Sequence, residues 1–375
     1  MRIDKIVGVI DEDPYDARTW SGSSRYFFKA LEEHGALRTA VAAQPAEAVQ
    51  KLLQVLSFQF GMRKWKFKYH LNTHYYRQMT AAAKRSLDEI DPSSFNVIVQ
   101  VGAWYDLTGY RNKRVVSYHD GNLAALLASP YGYPRINESF IQKTLEWERK
   151  LYHKLDLIFP MSSWLADSFV RDFGVDRRKV FPVGAGVNLP PIPEIKNKTY
   201  DEPRILFVGK DFRRKGGEDL IQAFEIVQKE LPQAELTIIG PEMASPPKGV
   251  RCIGFISKTS SEGMEALLKE YQRASIFVLP SLYEPFGVAF AEAMAHKLPC
   301  IGTNICAMPE IIEDGRTGFV VPPSDPAALA GKIISLLKEP SRCSAFGDAG
   351  YTRYVERFTW SAVTSRMCDI MSAKL

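Results

Sequence analysis

In the second half of the chain, short apolar runs alternate with amphipathic helical stretches almost without break. The apolar runs fall at 204–208, 235–239, 250–255, 276–279, 300–303 and 318–321, and the helical patterns at 217–230, 261–274, 287–296 and 326–338. Apolar strands separated by helices bury both faces, so this rhythm demands a parallel sheet covered by helices on each side. The first half repeats it less regularly, with β-rich runs at 5–10, 39–43, 97–101, 115–118, 157–160 and 180–183. Helical patterns there span 23–34, stopped by Gly35, and 138–153. The expected fold class is α/β, with two Rossmann-like, doubly wound parallel-sheet domains facing a deep cleft. Their expected limits are 1–188 and 204–358. The stretch 189–203 carries four prolines without periodicity and reads as a linker. Residues 359–375 offer one more helix.

Composition narrows the function. The 375 residues are 46% apolar and 24% charged, which is ordinary globular material. A net charge of +5 is too mild for a dedicated nucleic-acid binder, so no nucleic acid is expected. No run approaches the roughly 18 apolar residues of a membrane span. The opening residues lack the long apolar core of a secretory signal. The five cysteines, Cys252, Cys300, Cys306, Cys343 and Cys368, include no C-x-x-C pair. Neither a disulfide framework nor a zinc site is expected, and the compartment reads as cytoplasmic.

One segment departs from this average. No Asp or Glu occurs from 48 to 87, while eight Lys and Arg do, interleaved with aromatics. Residues 51–85 therefore suit an anionic membrane surface, on the inner face of the plasma membrane, or an anionic acceptor. Arg63, Lys64, Trp65, Lys66 and Lys68 form its densest part. A solvated helix face with core aromatics explains the pattern equally well.

In open α/β sheets ligands bind beyond the carboxyl ends of the strands, so the loops there are the candidate sites. The loop 208–217 sets Lys210, Arg213, Arg214 and Lys215 among three glycines before a helix. Cations and helix-start amides suit a diphosphate, or the loop is a solvated basic turn. It lacks the spacing of a P-loop. In 281–295, Glu284 precedes Phe286, Gly287 and Val288 at a helix start, and Glu292 lies inside that helix. A carboxylate beside free amides suits a sugar, or is a dipole-stabilised acid. His119 and Asp120 end a β-branched run, placing the imidazole at a sheet's carboxyl edge for acid–base work or an ordinary loop bond. Gly22 opens a helix after the first strand, where a phosphate or a serine cap would fit. Asp11 and Asp13 form a D-x-D that could hold a hard cation, a weak motif beside the basic loop.

Three motifs in order, G-K-D-F-R-R-K-G at 209–216, E-P-F-G-V-A-F-A-E at 284–292, and the stretch from M-P-E-I-I to D-G-R-T-G-F-V-V-P-P-S-D-P at 308–326, resemble the retaining GT-B glycosyltransferases of family four. The resemblance is dense over 204–326, thinner over 97–188 and faint before that. It implies two Rossmann-like domains, with the C-terminal helix crossing back to the first. It implies transfer of a hexose from a UDP- or GDP-sugar, with retention and without a metal or other cofactor, to a lipid, saccharide or small-molecule acceptor. The alternatives are a nucleotide-sugar epimerase or hydrolase, or a non-catalytic sugar-nucleotide-binding subunit. Lys215 matches the family's diphosphate lysine, and Lys210 stands where arginine is usual, with Arg214 able to compensate. Glu284 matches the carboxylate near the transferred sugar, with amides of Phe286 and Gly287 beside it, and Glu292 the ribose carboxylate. His119 matches the histidine facing the donor sugar. Gly22 stands where a glycine-rich loop begins, though it is alone. Cys306-Ala307-Met308 lacks the glycine pair common before P-E.

Overall fold

A computed structural model describes residues 5–129, 133–192, 195 and 198–375. The chain divides into two compact units, one comprising Met1–Gly184 with Trp360–Leu375 and the other Ala185–Thr359.

The first unit is built on strands β1 (Ile6–Ile10), β2 (Leu37–Ala42), β3 (Val97–Val101), β4 (Arg114–His119) and β5 (Leu157–Pro160). All pair in parallel, in the order β2-β1-β3-β4-β5. Every residue of β1 and β3 is buried, as runs apolar on both faces require. Strand alternation sorts β4 between two helical layers. Tyr118 points to helix Ser23–Glu33 and helix Trp360–Lys374, its ring 4.9 Å from Phe27. Ser117 and His119 share the opposite face, where His119 meets helices Glu138–Lys154 and Ser163–Phe173 through Tyr152 and Phe169. The C-terminal helix thus belongs to the first unit, and its Arg366 donates to Val183 O at 2.8 Å. The run 180–183, expected as a strand, makes one bridge, Val180 to Ile158. The N–H groups of Phe181 and Val183 donate to Ile158 O and Pro160 O of β5, while Pro182 between them faces outward and leaves that edge without a donor.

The second unit carries β6 (Arg204–Val208), β7 (Glu235–Ile239), β8 (Val250–Gly254), β9 (Ile276–Val278), β10 (Cys300–Thr303) and β11 (Gly318–Val321). They are parallel, in the order β11-β10-β9-β6-β7-β8. This is the doubly wound arrangement whose order reverses between β6 and β9. Helix starts here are capped from the sequence: Ser260 Oγ accepts from Gly263 N at 3.1 Å, and Asp325 accepts from Ala328 N at 2.9 Å.

The stretch 189–203 is not a free linker along its described length. Leu189 and Tyr200 are buried. Tyr200 donates to Lys297 O at 2.7 Å, and Lys198 donates to Gln272 O at 2.8 Å. Prolines bar helix and ladder but leave an extended strap free to bury an aromatic ring. Residues 193, 194, 196 and 197 of that stretch lie outside the described residues. Among the described residues no helix is long and apolar enough to cross a membrane.

Candidate active site

The loops leaving β6 and β9 meet at the reversal point of the second sheet. They are held together by backbone contact. Gly216 has φ +71°, and a Cβ there would lie 1.9 Å from Pro280 O. Leu282 N donates to Arg214 O at 2.9 Å. Arg214 Nη1 donates to Tyr283 O at 2.8 Å. These contacts bring two sequence-distant motifs to one spot. Lys215 Nζ donates to Glu284 Oε2, and Arg214 Nη1 lies 3.7 Å from the same oxygen. Both members of the Lys215–Glu284 pair are largely buried, with side chains 14% and 11% exposed. A charge pair in such surroundings is held far more firmly than a surface pair. Two cations on one carboxylate leave positive charge that an arriving dianion can take up.

The amides of the β9 loop complete the spot. Gly287, at φ +85°, precedes helix Val288–Ala295, whose start has no side-chain cap. The opening N–H groups of a helix have no partner within it, so Phe286, Gly287 and Val288 border an anion-compatible helix end. Phe286 is buried against Phe358, with ring centroids 6.2 Å apart. Lys210 is exposed, its ammonium 5.4 Å from the ring of Phe255.

Glu292 sits apart from that ion pair. It is 2% exposed in a helix whose residues from Phe290 to Ala295 are all buried. Burial of a carboxylate requires partners, and Lys258 supplies one to Oε1 while Tyr271 donates to Oε2 at 3.0 Å. Both oxygens of this carboxylate, which the resemblance assigns to the ribose, are thus engaged within the unit. Lys258 and Tyr271 were not singled out from the sequence, since a lysine in a Ser/Thr-rich turn and a tyrosine on an amphipathic helix give no signal there.

His119 is the last residue of β4, at the carboxyl edge of the sheet as expected, and there it is buried, 1% exposed, with Nε2 2.8 Å from Ser117 Oγ. Burial pushes its imidazole down to about 3, so the ring is neutral. A neutral ring can orient a hydroxyl but brings no charge. The folded form resists a proton that the unfolded chain accepts, so this group's contribution to stability is present above about pH 6.5 and is lost as pH falls. Its ring resonances should hold the neutral position from pH 8 to pH 5 by NMR; a midpoint near 6.5 would contradict the buried setting.

Gly22 is the left-handed N-cap of helix Ser23–Glu33, following Trp20 and Ser21, which are also left-handed. Trp20 Nε1 donates to Asp120 at 2.9 Å, tying this turn to the end of β4. At the D-x-D, Asp13 accepts from Tyr15 N at 2.9 Å, and no cluster of three metal-ligating side chains occurs among the described residues. Burial raises the Asp11 carboxyl to about 6. In the basic segment, Arg63, Lys64 and Lys66 are exposed, whereas Trp65 donates to Gln54 O at 2.8 Å and Lys68 lies over Phe140 at 5.2 Å. The latter two therefore also serve packing within the first unit.

Comparison with known proteins places these features. Residues 190–353 match the family described as glycosyl transferases group 1. A D-inositol 3-phosphate glycosyltransferase from Streptomyces avermitilis is 26% identical over 61% of this chain and 54% of its own length. An alpha-maltose-1-phosphate synthase from Mycolicibacterium smegmatis is 24% identical over 67% of this chain and 75% of its own. The match thus spans about half the length of the first of these relatives. Among solved structures, sucrose-phosphate synthase from Thermosynechococcus elongatus aligns over 98% of both chains with TM-score 0.68 at 18% identity. Anabaena HepE in complex with UDP-glucose covers 98% of this chain and 100% of its own with TM-score 0.62 at 15% identity. Identities this low show the fold alone.

Proposed function

We propose that this chain, whose residues 190–353 match the family described as glycosyl transferases group 1, transfers a hexose from a nucleoside diphosphate sugar to an acceptor hydroxyl. We take the transfer to retain the anomeric configuration. The observation that carries this reading is the convergence of Lys215 and Arg214 on Glu284 at the reversal point of the second sheet. In an open α/β sheet that point is where a nucleotide binds. The diphosphate of the donor takes up the charge of Lys215 and Arg214, with the helix-start amides of Gly287 and Val288 as further donors. As the glycosidic bond breaks, negative charge grows on the leaving phosphate, and fixed cations stabilise it more in the transition state than before. These cations fill the role a metal ion would otherwise take. Glu284, freed from part of its bond to Lys215, accepts from hydroxyls of the transferred sugar.

A uridine donor is favoured within this proposal, because HepE is described in complex with UDP and with UDP-glucose. The acceptor is a lipid, a saccharide or a small molecule. Isothermal titration of the purified chain with UDP-glucose, GDP-mannose, UDP and GDP tests the first step, followed by turnover against an acceptor panel. Binding of a sugar nucleotide with transfer to an acceptor is expected. Free sugar released without acceptor would make the chain a hydrolase, and binding with no turnover would make it a non-catalytic subunit. No binding to any of them would end the nucleotide-sugar reading.

A further inference from the structure

The first unit carries a second feature that the donor site does not use. Between β2 and β3 the chain forms helices Glu47–Leu56 and Met62–His70. The first of these fully buries only Leu53. Its residues Leu52, Val55 and Leu56 lie at helical i, i+3 and i+4 spacing on one face, 58%, 69% and 64% exposed. Phe58 and Phe60 in the joining turn and Met62 at the start of the second helix are also 55%, 88% and 61% exposed. The rings of Phe58 and Phe60 lie 5.6 Å apart, and Phe58 also meets Trp65 at 5.8 Å. Other large apolar side chains exposed on the described surface, such as Tyr15, Ile226 and Val355, are scattered along the chain. Six within eleven residues form a patch, and patches of this kind mark interaction surfaces.

The charge around the patch names its partner. Lys51, Arg63, Lys64 and Lys66 are exposed beside it, and the segment from 48 to 87 holds no acid. Lys51 reaches Glu47 at 2.6 Å, an exposed pair of little strength. We propose that this helical pair docks on an anionic phospholipid bilayer, with Val55, Leu56, Phe58 and Phe60 inserted below the headgroups and the lysines and Arg63 against the phosphates. Apolar side chains at the level of the acyl boundary, with cations just above them, are what an interfacial helix presents to lipid. A second copy of this chain on the same face would bring two acid-free basic segments together. Nucleic acid would leave the phenylalanines and leucines in water. The inference is independent of the donor site: its failure would leave the Lys215 reading untouched, and the reverse holds too.

Flotation of the full chain with vesicles tests it. The chain is expected to rise with vesicles containing phosphatidylglycerol, to stay in solution with phosphatidylcholine alone, and to release as salt increases. Two variants use exposed positions so that folding is spared, which an unchanged unfolding midpoint checks. Val55→Ser with Phe60→Ser should weaken binding about tenfold or more. Arg63→Ser, Lys64→Ser and Lys66→Ser together should weaken it about a hundredfold, at roughly fivefold per charge. Equal binding to neutral and anionic vesicles, or none to either, would overturn the proposal. So would variants that float like the parent, or a dimer in solution that Phe60→Ser converts to monomer.

Discussion

Lys215→Ala lowers donor affinity or turnover by about one to two decades. The lost interaction is a charge-assisted contact to phosphate, which contributes about 1.5–3 kcal/mol, and mutant kinetics convert that directly into rate or binding. The free protein explains why the effect cannot be read from one constant alone. Lys215 is paired with Glu284 before any ligand arrives, so the donor must displace part of that bond. Removing the lysine also leaves Glu284, 8% exposed, with Arg214 at 3.7 Å as its remaining cation in that pair of loops. Some loss of stability therefore accompanies the loss of function. Lys215→Arg keeps the charge and should recover most of the binding. Steady-state kinetics, donor titration and an unfolding midpoint on the same preparations separate the two effects. Unchanged donor kinetics in Lys215→Ala would refute the assignment of the site.

Gly216→Ala is expected to destabilise the second unit by about 3 kcal/mol or more. A side chain at φ +71° costs on the order of 1–2 kcal/mol by itself. The added Cβ also falls 1.9 Å from a carbonyl oxygen of Pro280, which is backbone and cannot rotate away. The β6 and β9 loops must separate, and with them the Lys215–Glu284 pair. For a unit of this size the midpoint should drop by roughly 6–12 °C. Gly315→Ala is the control, since its φ is +75° but nothing lies within 4 Å of the new carbon. It should cost only the conformational part, about 1–2 kcal/mol. Equal midpoints for the two variants, read by thermal denaturation, would show that the close approach of the loops is not rigid.

How much of this was legible in the residues varies by element. Strands such as β3 and β6 are runs of β-branched and aromatic residues between turn signals, and their burial follows from composition alone. The run at 180–183 has the same appearance and does hydrogen-bond to β5, yet it makes only one bridge there, and Pro182 leaves its outer edge without a donor. The stretch 189–203 looks like a linker because its prolines erase periodicity, and periodicity says nothing of the hydrogen bonds that Lys198 and Tyr200 find on the second unit.

The same division holds at the candidate site. The chain by itself determined which residue types stand after β6 and β9, because turn glycines, clustered cations and a helix start are local properties. The setting of His119 was decided by tertiary packing: the pleat of β4 turns it with Ser117 toward Tyr152 and Phe169, and desolvation then fixes it neutral. Glu292 took its partners in the same way, from Lys258 34 residues earlier and Tyr271 21 residues earlier. A one-dimensional pattern records what each residue prefers, whereas distance between loops, and the burial that sets charge, exist only once the sheet has brought its strands side by side.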